Sequence, residues 1–374
     1  MKYVHIAGTN GKGSAAEYIY QIILAAGKSC GCFTSPHLLS PTERFRANGQ
    51  TIESASLEAL LSEVKQKKLA VNDTMFAAYT AAALLWFERL GLDFAVFETG
   101  LGGRLDPTNV ITPEVSVLTT IGYDHTDVLG DTIEEIALEK AGIIKPGIPV
   151  VSVKQCLEAE TVIRTEAEKK GARVYFLSPI EVLSSSLDGQ TFQFGSMRYK
   201  IQSIGGMQPE LAALAAFSTR LLGLGDAAVS KGLMHTLIPC RTQYIPGAPA
   251  MLLDGAHNTA SVQALCKTLD THFSGDRKVL LFACMKDKDI SAIAAHLSPY
   301  FHTAVFTSVD SLRGASIADL NTHFSHHISC KAFDDPANAF DHASSIAVRK
   351  QSLLVICGSF YLSGMIWGLL TQKQ

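Results

Sequence analysis

The stretch "VHIAGTNGKGSAAEYIYQIILAAG" (residues 4–27) decides the fold. A short β-prone run ends in glycine. Gly8, Gly11 and Gly13 then bracket Lys12 and Ser14, and an apolar segment with Tyr18, Ile22 and Leu24–Ala25 near helical spacing runs to Gly27. That order is strand, glycine loop, helix. Backbone N–H groups in such a turn, leading into a helix N-terminus, make an anion site. Glycines let the backbone approach a phosphate without a Cβ clash. Lys12 supplies a cation for the β- and γ-phosphates, and the Ser14 hydroxyl suits Mg²⁺. The spacing departs from the common phosphate loop, which is Gly, four residues, then Gly-Lys-Ser/Thr. Here Gly8 lies only three positions before Gly11, and Gly13 separates Lys12 from Ser14. The competing reading is a glycine turn beside an exposed lysine. Three glycines around Lys and Ser, between a strand and a helix, favour a nucleoside triphosphate site. The loop alone does not separate hydrolysis from transfer or ligation.

Outward from this loop, "SCGCFTS", "DFAVFETG", "VSVLTTIG" and "IPVVSV" read as short apolar strands. "SASLEALLSEVKQKK", "TMFAAYTAAALLWFERLG" and "TIEEIALEKAGII" read as helices between them. The alternation predicts a mostly parallel sheet with helices on both faces. From about Arg173 to Ile204 the pattern changes, and "ARVYFL", "TFQFG" and "MRYKIQSI" read as antiparallel strands. A helix follows in "PELAALAAFSTRLLGLG". The proline- and glycine-rich stretch "IPCRTQYIPGAP" (238–249) reads as the hinge. Strand–helix alternation then restarts at "AMLLDGAHN" and ends in "SLLVICGSFYLSGMIWGLL". The expected architecture is α/β: a P-loop-type, mostly parallel central-sheet domain (1–238), a hinge (239–246) and a smaller Rossmann-like α/β domain (247–374).

Composition narrows the function class. A chain of 374 residues favours two domains, and 47% hydrophobic with 18% charged residues suits a soluble enzyme with a filled core. A formal net charge of -3 gives no electrostatic footprint for nucleic acid. No apolar run approaches the roughly 20 residues that span a bilayer, so no membrane partner is expected. The eight cysteines lack metal-site spacing, and Cys30-Gly-Cys32 is one residue tighter than C-x-x-C. They read as reduced, mostly buried thiols of a cytoplasmic protein. The N-terminus runs straight into a strand, with no signal peptide expected.

The order G-T-N-G-K-G-S, together with "FTSPHLLSPTERFRANG" (33–49), "FETGLGGRLDPTNVI" (97–111), "IGYDHTDVLGDTIEEIALEKAGIIKPG" (121–147), "LLDGAHN" (252–258), "MKDKD" (285–289) and "GSFYLSG" (358–364), resembles the folylpolyglutamate synthase/dihydrofolate synthase branch of the Mur-type ATP-dependent amide ligases. The resemblance covers nearly the whole chain. It implies that ATP phosphorylates a carboxylic acid and that the amine of L-glutamate attacks the acyl phosphate. It implies ATP contacts from Thr9, Asn10, Gly11, Lys12, Gly13, Ser14, Gln208, Arg241 and Asp254. Two Mg²⁺ positions would draw on Ser14, Ser35, Glu98, His125 and Lys140. Glu98, which ends an apolar strand, is also a carboxylate where sheet-edge metals sit. By itself Lys140 reads as a solvated helix lysine; the resemblance implies a carbamylated side chain that acts as a carboxylate-like ligand. His125, Asp254 and His257, with Lys12 and Lys140, are the implied catalytic residues. Arg241 matches an arginine that reaches phosphate. Arg44 belongs to a loop near the acid substrate, with Asp106 and Asn109 candidates for the same pocket, and Lys286 and Asp287 for the glutamate side. Asp124 reads either as a group that supports the metal ligands or as a helix-start residue, the latter slightly favoured, and Glu139 faces away from Lys140 because helix neighbours do not share a face. The family is mostly monomeric and closes its two domains over ATP, so a monomer is expected.

The chain also departs from the family's pattern. An additional N-terminal segment usually precedes the first strand, and it is expected to be missing here. The His-Gln-x-x-Asn helix start reads Met207-Gln208-Pro209-Glu210-Leu211, and a Phe-Glu pair reads Phe76-Ala77. Pro-Gly-Arg-Phe/Leu reads Pro239-Cys240-Arg241-Thr242, and Leu-Asp-Ala-Thr-Asn reads Leu105-Asp106-Pro107-Thr108-Asn109. The acid is left open between dihydropteroate, a folyl glutamate and a non-folate acid. A degenerate ATP-binding protein is a third reading, against which stand Lys12, Ser14, Glu98, His125, Lys140, Asp254 and His257.

Overall fold

The structure is a computed structural model that describes residues 1–309, 313–324 and 328–371. The chain divides into two compact units. One holds residues 1–184, 191–202 and 207–236, the other residues 185–190, 203–206 and 237–374.

The first unit contains β1 (Lys2–Ala7), α1 (Lys12–Ala25), β2 (Cys30–Phe33), β3 (Phe45–Ala47), β4 (Gln50–Thr51), α2 (Ser54–Lys67), α3 (Met75–Arg89), β5 (Phe94–Glu98), β6 (Val115–Leu118), α4 (Thr126–Leu129), α5 (Ile133–Ala141), β7 (Val150–Ser152), α6 (Leu157–Lys169) and β8 (Val174–Phe176). Its sheet has eight strands in the order β4-β3-β2-β5-β1-β6-β7-β8. The runs from β2 through β8 are parallel, and only β3 and β4 pair antiparallel. Ala95 and Phe97 join Phe33, Phe45 and Phe87 in a core under α2 and α3. Successive strand residues point to opposite faces, and α1 lies against β1, β2 and β5. This is why β5 is buried along its whole length and apolar up to Glu98.

The segment "ARVYFL" corrects its sequence reading. Its core, β8, pairs parallel with β7. The helix α6 between them makes this a β-α-β crossover, and such crossovers give parallel neighbours. Three more strands, β9 (Glu181–Ser186), β10 (Gly189–Phe194) and β11 (Met197–Ile201), form a separate sheet in the order β11-β10-β9. Then come α7 (Gln208–Leu221) and α8 (Asp226–His235).

Helices α1 and α8 touch at backbone distance. A Cβ built on Gly232 would lie 2.5 Å from Ile22 Cα and 2.7 Å from Ile22 N. Gly232→Ala therefore has to push two helix backbones apart. It is expected to cost about 2–3 kcal/mol, read as a lower urea midpoint at unchanged slope. An unchanged midpoint would show that the two helices are free to separate.

The second unit carries β12 (Gln243–Ile245), β13 (Met251–Leu253), α9 (Thr259–Phe273), β14 (Lys278–Phe282), α10 (Ile290–Leu297), β15 (Thr303–Phe306), α11 (Ile317–Phe324), β16 (Ser329–Ala332), α12 (Pro336–Lys350), β17 (Leu353–Cys357) and α13 (Phe360–Thr371). Six strands run β12-β13-β17-β14-β15-β16, parallel except for the β12–β13 pair. Leu252, Leu280, Phe282, Phe306, Phe324 and Val355 anchor its core. Part of the stretch read as hinge is thus strand β12, hidden by its flanking prolines and glycine. The sequence reading also passed over α11, β16 and α12. The last was announced by Asp335, whose side chain caps the helix, and by Pro336 in the first turn. Among the described residues no helix is long and apolar enough to cross a membrane. All eight cysteines are free thiols.

Candidate active site

In the first unit, parallel β1, β2, β5 and β6 bring their C-terminal ends to one edge of the sheet. Open α/β sheets bind ligands at that edge. Gly8–Ser14 follow β1, Ser35 follows β2, Glu98 closes β5, and residues 119–125 follow β6.

The glycine loop is fixed by contacts on both sides. Gly8 has φ +152° and Gly11 φ +91°. A Cβ on Gly8 would lie 1.9 Å from Thr119 Oγ1, and one on Gly11 would lie 2.8 Å from Leu211 Cδ1. Thr9 N donates to Thr120 O at 2.7 Å and Asn10 N at 3.4 Å. Thr9 Oγ1 donates to Gly122 O at 3.0 Å, and Gly122 N donates back to Thr9 Oγ1 at 3.1 Å. The loop after β6 is therefore zipped onto the glycine loop. Ser14 is buried in the first turn of α1. Its hydroxyl accepts from Gln208 Nε2 at 3.4 Å, and Gln208 Oε1 accepts from Tyr18 OH at 3.2 Å.

Two lysines meet one carbonyl. Lys12 Nζ donates to Gly8 O at 2.9 Å and to Thr9 O at 3.3 Å. Lys140 Nζ, reaching in from α5, donates to the same Gly8 O at 3.0 Å. Lys140 is 3% exposed. Burial, and then the charge of Lys12, lower its pKa to about 7, against the pull of Asp124 and Asp106. Glu139, next along the helix, points away into an ion pair with Arg104 at 2.7 Å.

Glu98 is 2% exposed, and its Oε2 accepts from Ser35 N at 3.0 Å. His125, rather than Asp124, is the residue before α4, with φ +51°. Asp124 Oδ1 accepts from His125 N at 3.1 Å and lies 3.9 Å from His125 Nε2. Among the described residues no three His, Cys, Asp or Glu side chains gather as a metal cluster. The donors at this edge are instead carboxylate and hydroxyl oxygens beside one imidazole. Hard oxygen donors suit Mg²⁺ or Mn²⁺.

Three residues that the resemblance implies near the acid make these contacts. Arg44 Nε donates to His37 Nδ1 at 2.9 Å, and its guanidinium lies 5.5 Å from the Tyr79 ring centre. Asp106 caps a short 3₁₀ turn. Its Oδ2 accepts from Gly100 N and Leu101 N, both at 2.9 Å, and its Oδ1 from Thr108 N and Oγ1. Burial raises the Asp106 pKa against those bonds. Asn109 Nδ2 donates to the carbonyls of Arg104 and Gly142. Asp106 is thus engaged with its own loop, and Asn109 with that loop and the C-terminal end of α5.

In the second unit, Asp254 follows β13 and stitches the chain before β12. Its Oδ2 accepts from Thr242 N and Oγ1, both at 2.7 Å, and its Oδ1 from Ala256 N at 2.7 Å. Burial raises its pKa, with Thr242 and Arg241 opposing. The Arg241 guanidinium lies 4.0 Å from the Phe360 ring centre, and the His257 ring 5.6 Å from it. His257 Nδ1 is 2.8 Å from Gly255 O. Asp287 pairs with Lys288 at 3.3 Å. A cavity of about 400 Å³ in this unit is lined by Tyr244, Phe273, Asp276 and Gln351. It includes none of Asp254, His257 and Arg241. Sequence reasoning gave Tyr18 only as a residue at helical spacing, and left Thr119 and Phe360 inside quoted stretches without singling them out.

Residues 6–208 match the Mur ligase middle domain, and residues 240–360 the Mur ligase glutamate ligase domain. The dihydrofolate synthase/folylpolyglutamate synthase of Bacillus subtilis (strain 168) is 35% identical over 96% of this chain and 87% of its own length. The chain belongs to the folylpolyglutamate synthase/dihydrofolate synthase family of Mur ligases. Among solved structures of this family, Escherichia coli FolC in complex with DHPP and ADP superposes with a TM-score of 0.90 at 28% identity, over 100% of this chain and 89% of that one. The bifunctional folylpolyglutamate synthase/dihydrofolate synthase of Yersinia pestis, complexed with AMPPNP and Mn ion, gives 0.87 at 31% identity, over 99% and 90%.

Set in this synthase family, the departures have local explanations. Leu211, 1% exposed, lies over Gly11 and backs the phosphate loop with apolar surface. Phe76 covers Gly100, two residues past Glu98, at a distance that excludes a Cβ. Cys240, where the family pattern has glycine, sits at φ +55°, and Thr242 at φ +50°. Left-handed backbone at two non-glycine residues costs roughly 1–2 kcal/mol each. The bonds donated by Thr242 N and Oγ1 to Asp254, by Cys240 N to Gln243 Oε1 and by Gly255 N to Cys240 O hold the segment in place. Between these two residues stands Arg241.

Proposed function

We propose that this chain is an ATP-dependent amide ligase that joins L-glutamate to a folate-type carboxylic acid through an acyl phosphate. The observation that carries the reading is the meeting of the Gly8–Ser14 loop, Ser35, Glu98 and Lys140 at one sheet edge, in a chain whose relatives are named for this synthesis. Relatives complexed with ADP, DHPP, AMPPNP and Mn ion support ATP, a pterin-type acid and a divalent cation as ligands here.

In this reading the N–H groups of residues 9–14 and the Lys12 ammonium hold the ATP phosphates. Ser14, Glu98, Ser35 and His125 would hold two divalent cations, which would supply positive charge against the phosphates and the transferred phosphoryl group. Gln208 keeps the Ser14 hydroxyl directed. Arg241 supplies a second phosphate cation, while Asp254 and His257 act at the nucleotide and reacting centre. Arg44 serves the acid. Asp106 and Asn109, engaged with their own loop and, for Asn109, the C-terminal end of α5, are scaffold rather than acid ligands. Lys140 is carbamylated: the ammonium first gives up one proton, the neutral amine attacks CO₂, an N–C bond forms as one C–O π bond opens onto oxygen, a second proton leaves the nitrogen, and the resulting carbamate anion would serve as an oxygen ligand for the second cation. The pKa near 7 supports this step, since the amine must be unprotonated to react. The buried free thiols support a cytoplasmic location.

The test is phosphate release and product mass with ATP, Mg²⁺ and L-glutamate, with dihydropteroate, with tetrahydrofolate, and with no acid. Release that needs both acid and glutamate supports the reading. Release only with a non-folate acid overturns the substrate assignment, and absence of nucleotide binding overturns the ligase.

A further inference from the structure

β1 carries a histidine in the middle of an apolar strand. His5 is fully buried, and its Nε2 lies 2.8 Å from Thr108 Oγ1, 103 residues away in sequence. Thr108 is also fully buried. Its Oγ1 donates to Asp106 Oδ1 at 2.5 Å. A hydroxyl has one proton. Having given it to Asp106, Thr108 Oγ1 can only accept from His5, so His5 carries its proton on Nε2. Nδ1 is then a bare acceptor, and among the described residues it is a buried atom with no hydrogen-bond partner. An imidazolium would place a buried charge near the Lys145 ammonium. Burial, with Lys145 adding to it, pushes the His5 pKa down to about 3.

The chain continues from Asp106. Its other oxygen takes the N–H groups of Gly100 and Leu101, the second and third residues after Glu98. The same loop leans on α5. Arg104 N donates to Glu139 O at 2.7 Å, and a Cβ on Gly103 would lie 2.9 Å from Lys140 O. His5 itself stands three residues before Gly8. One buried polar path therefore ties the strand feeding the phosphate loop to the loop that follows Glu98 and braces Lys140.

We propose that His5 and Thr108 are positioning residues for the cation site: the buried His5–Thr108–Asp106 path fixes the loop after Glu98, and so sets the placement of Glu98 and Lys140 against the phosphate loop. This rests on the reading of Glu98 as a cation ligand. Both are buried behind the sheet edge. The side-chain part of their effect passes through Asp106, because Thr108 Oγ1 receives from His5 and gives to Asp106.

The experiment compares Thr108→Val, which keeps the shape and removes the hydroxyl, with Thr108→Ser, which keeps the hydroxyl. Mn²⁺ binding is followed by electron paramagnetic resonance with a non-hydrolysable ATP analogue present, alongside affinity for the analogue without metal. Thr108→Val is expected to weaken Mn²⁺ about tenfold and leave metal-free analogue binding unchanged. Thr108→Ser should bind Mn²⁺ within about twofold of the parent. Glu98→Gln separates the two ways of failing. If Glu98→Gln loses Mn²⁺ while Thr108→Val binds as the parent does, the positioning role is overturned alone. If Glu98→Gln binds Mn²⁺ normally, the cation reading falls and takes this inference with it. A measurement on the parent covers the case of a variant that fails to fold. ¹⁵N resonances of His5 should report a neutral Nε2–H ring from pH 5 to 8, and an Nδ1–H ring or an imidazolium would overturn the path.

Discussion

Lys12→Met is expected to lower acid- and glutamate-dependent phosphate release by about a thousandfold, at the upper end of what one charged donor contributes in a preorganised site. Methionine occupies a similar apolar volume, so α1 should form as before. What is lost is an ammonium already seated on the loop, at Gly8 O and Thr9 O. The substitution also reaches Lys140, whose pKa the Lys12 charge helps to depress. Without Lys12, Lys140 should regain protons near neutrality, so the variant loses phosphate binding and lysine reactivity together. Steady-state kinetics at saturating nucleotide, with thermal unfolding as a check on the fold, measures the effect. Activity within tenfold of the parent would remove Lys12 from the phosphate site.

Lys140→Ala is the second large effect. Turnover should fall at least a hundredfold, and short carboxylic acids added to the assay should restore part of it by filling the space of a carbamate. Full activity without additives would exclude Lys140 from the mechanism. The parent's pH dependence tests the same point. With a pKa of about 7, roughly half of the Lys140 amine is neutral at pH 7, against well under 0.1% for an ordinary lysine near 10.4. Carbamylation, read as CO₂-dependent activity, should rise as pH increases through 7. Stability follows with the same sign. The unfolded lysine binds a proton up to about pH 10.4 and the folded one only to about 7. Over that window the unfolded chain holds more protons, so the stability attributable to this group rises with pH. Below pH 7 both forms are protonated, and the cost of the buried charge is constant.

The phosphate loop was legible in sequence because its chemistry is local: seven consecutive residues hold the glycines, the lysine and the serine. Glu98 was legible because a strand that is buried throughout and ends in a carboxylate says where that carboxylate lies. Contacts across long sequence separations were not legible. Tyr18 meets Gln208 across 190 residues, and His5 meets Thr108 across 103. No periodicity announces either. The surroundings of Asp106 were hidden at short range: its bonds to Gly100, Leu101 and Thr108 make a local staple, and sequence shows the carboxylate but not its donors. Lys140 looked like a solvated lysine because helical charge patterning does not reveal a neighbouring carbonyl 132 residues away.

The bonds that zip Thr9 and Asn10 to Thr120 and Gly122 bear on the thermodynamics of nucleotide capture. Fixing the backbone of a free loop costs roughly 1–2 kcal/mol per residue in lost conformational entropy. Here that cost is met during folding, by hydrogen bonds to the β6 loop and by Thr119 and Leu211 against the glycines. A nucleotide then meets a cradle with few backbone torsions left to freeze, and its affinity reflects phosphate contacts rather than loop ordering.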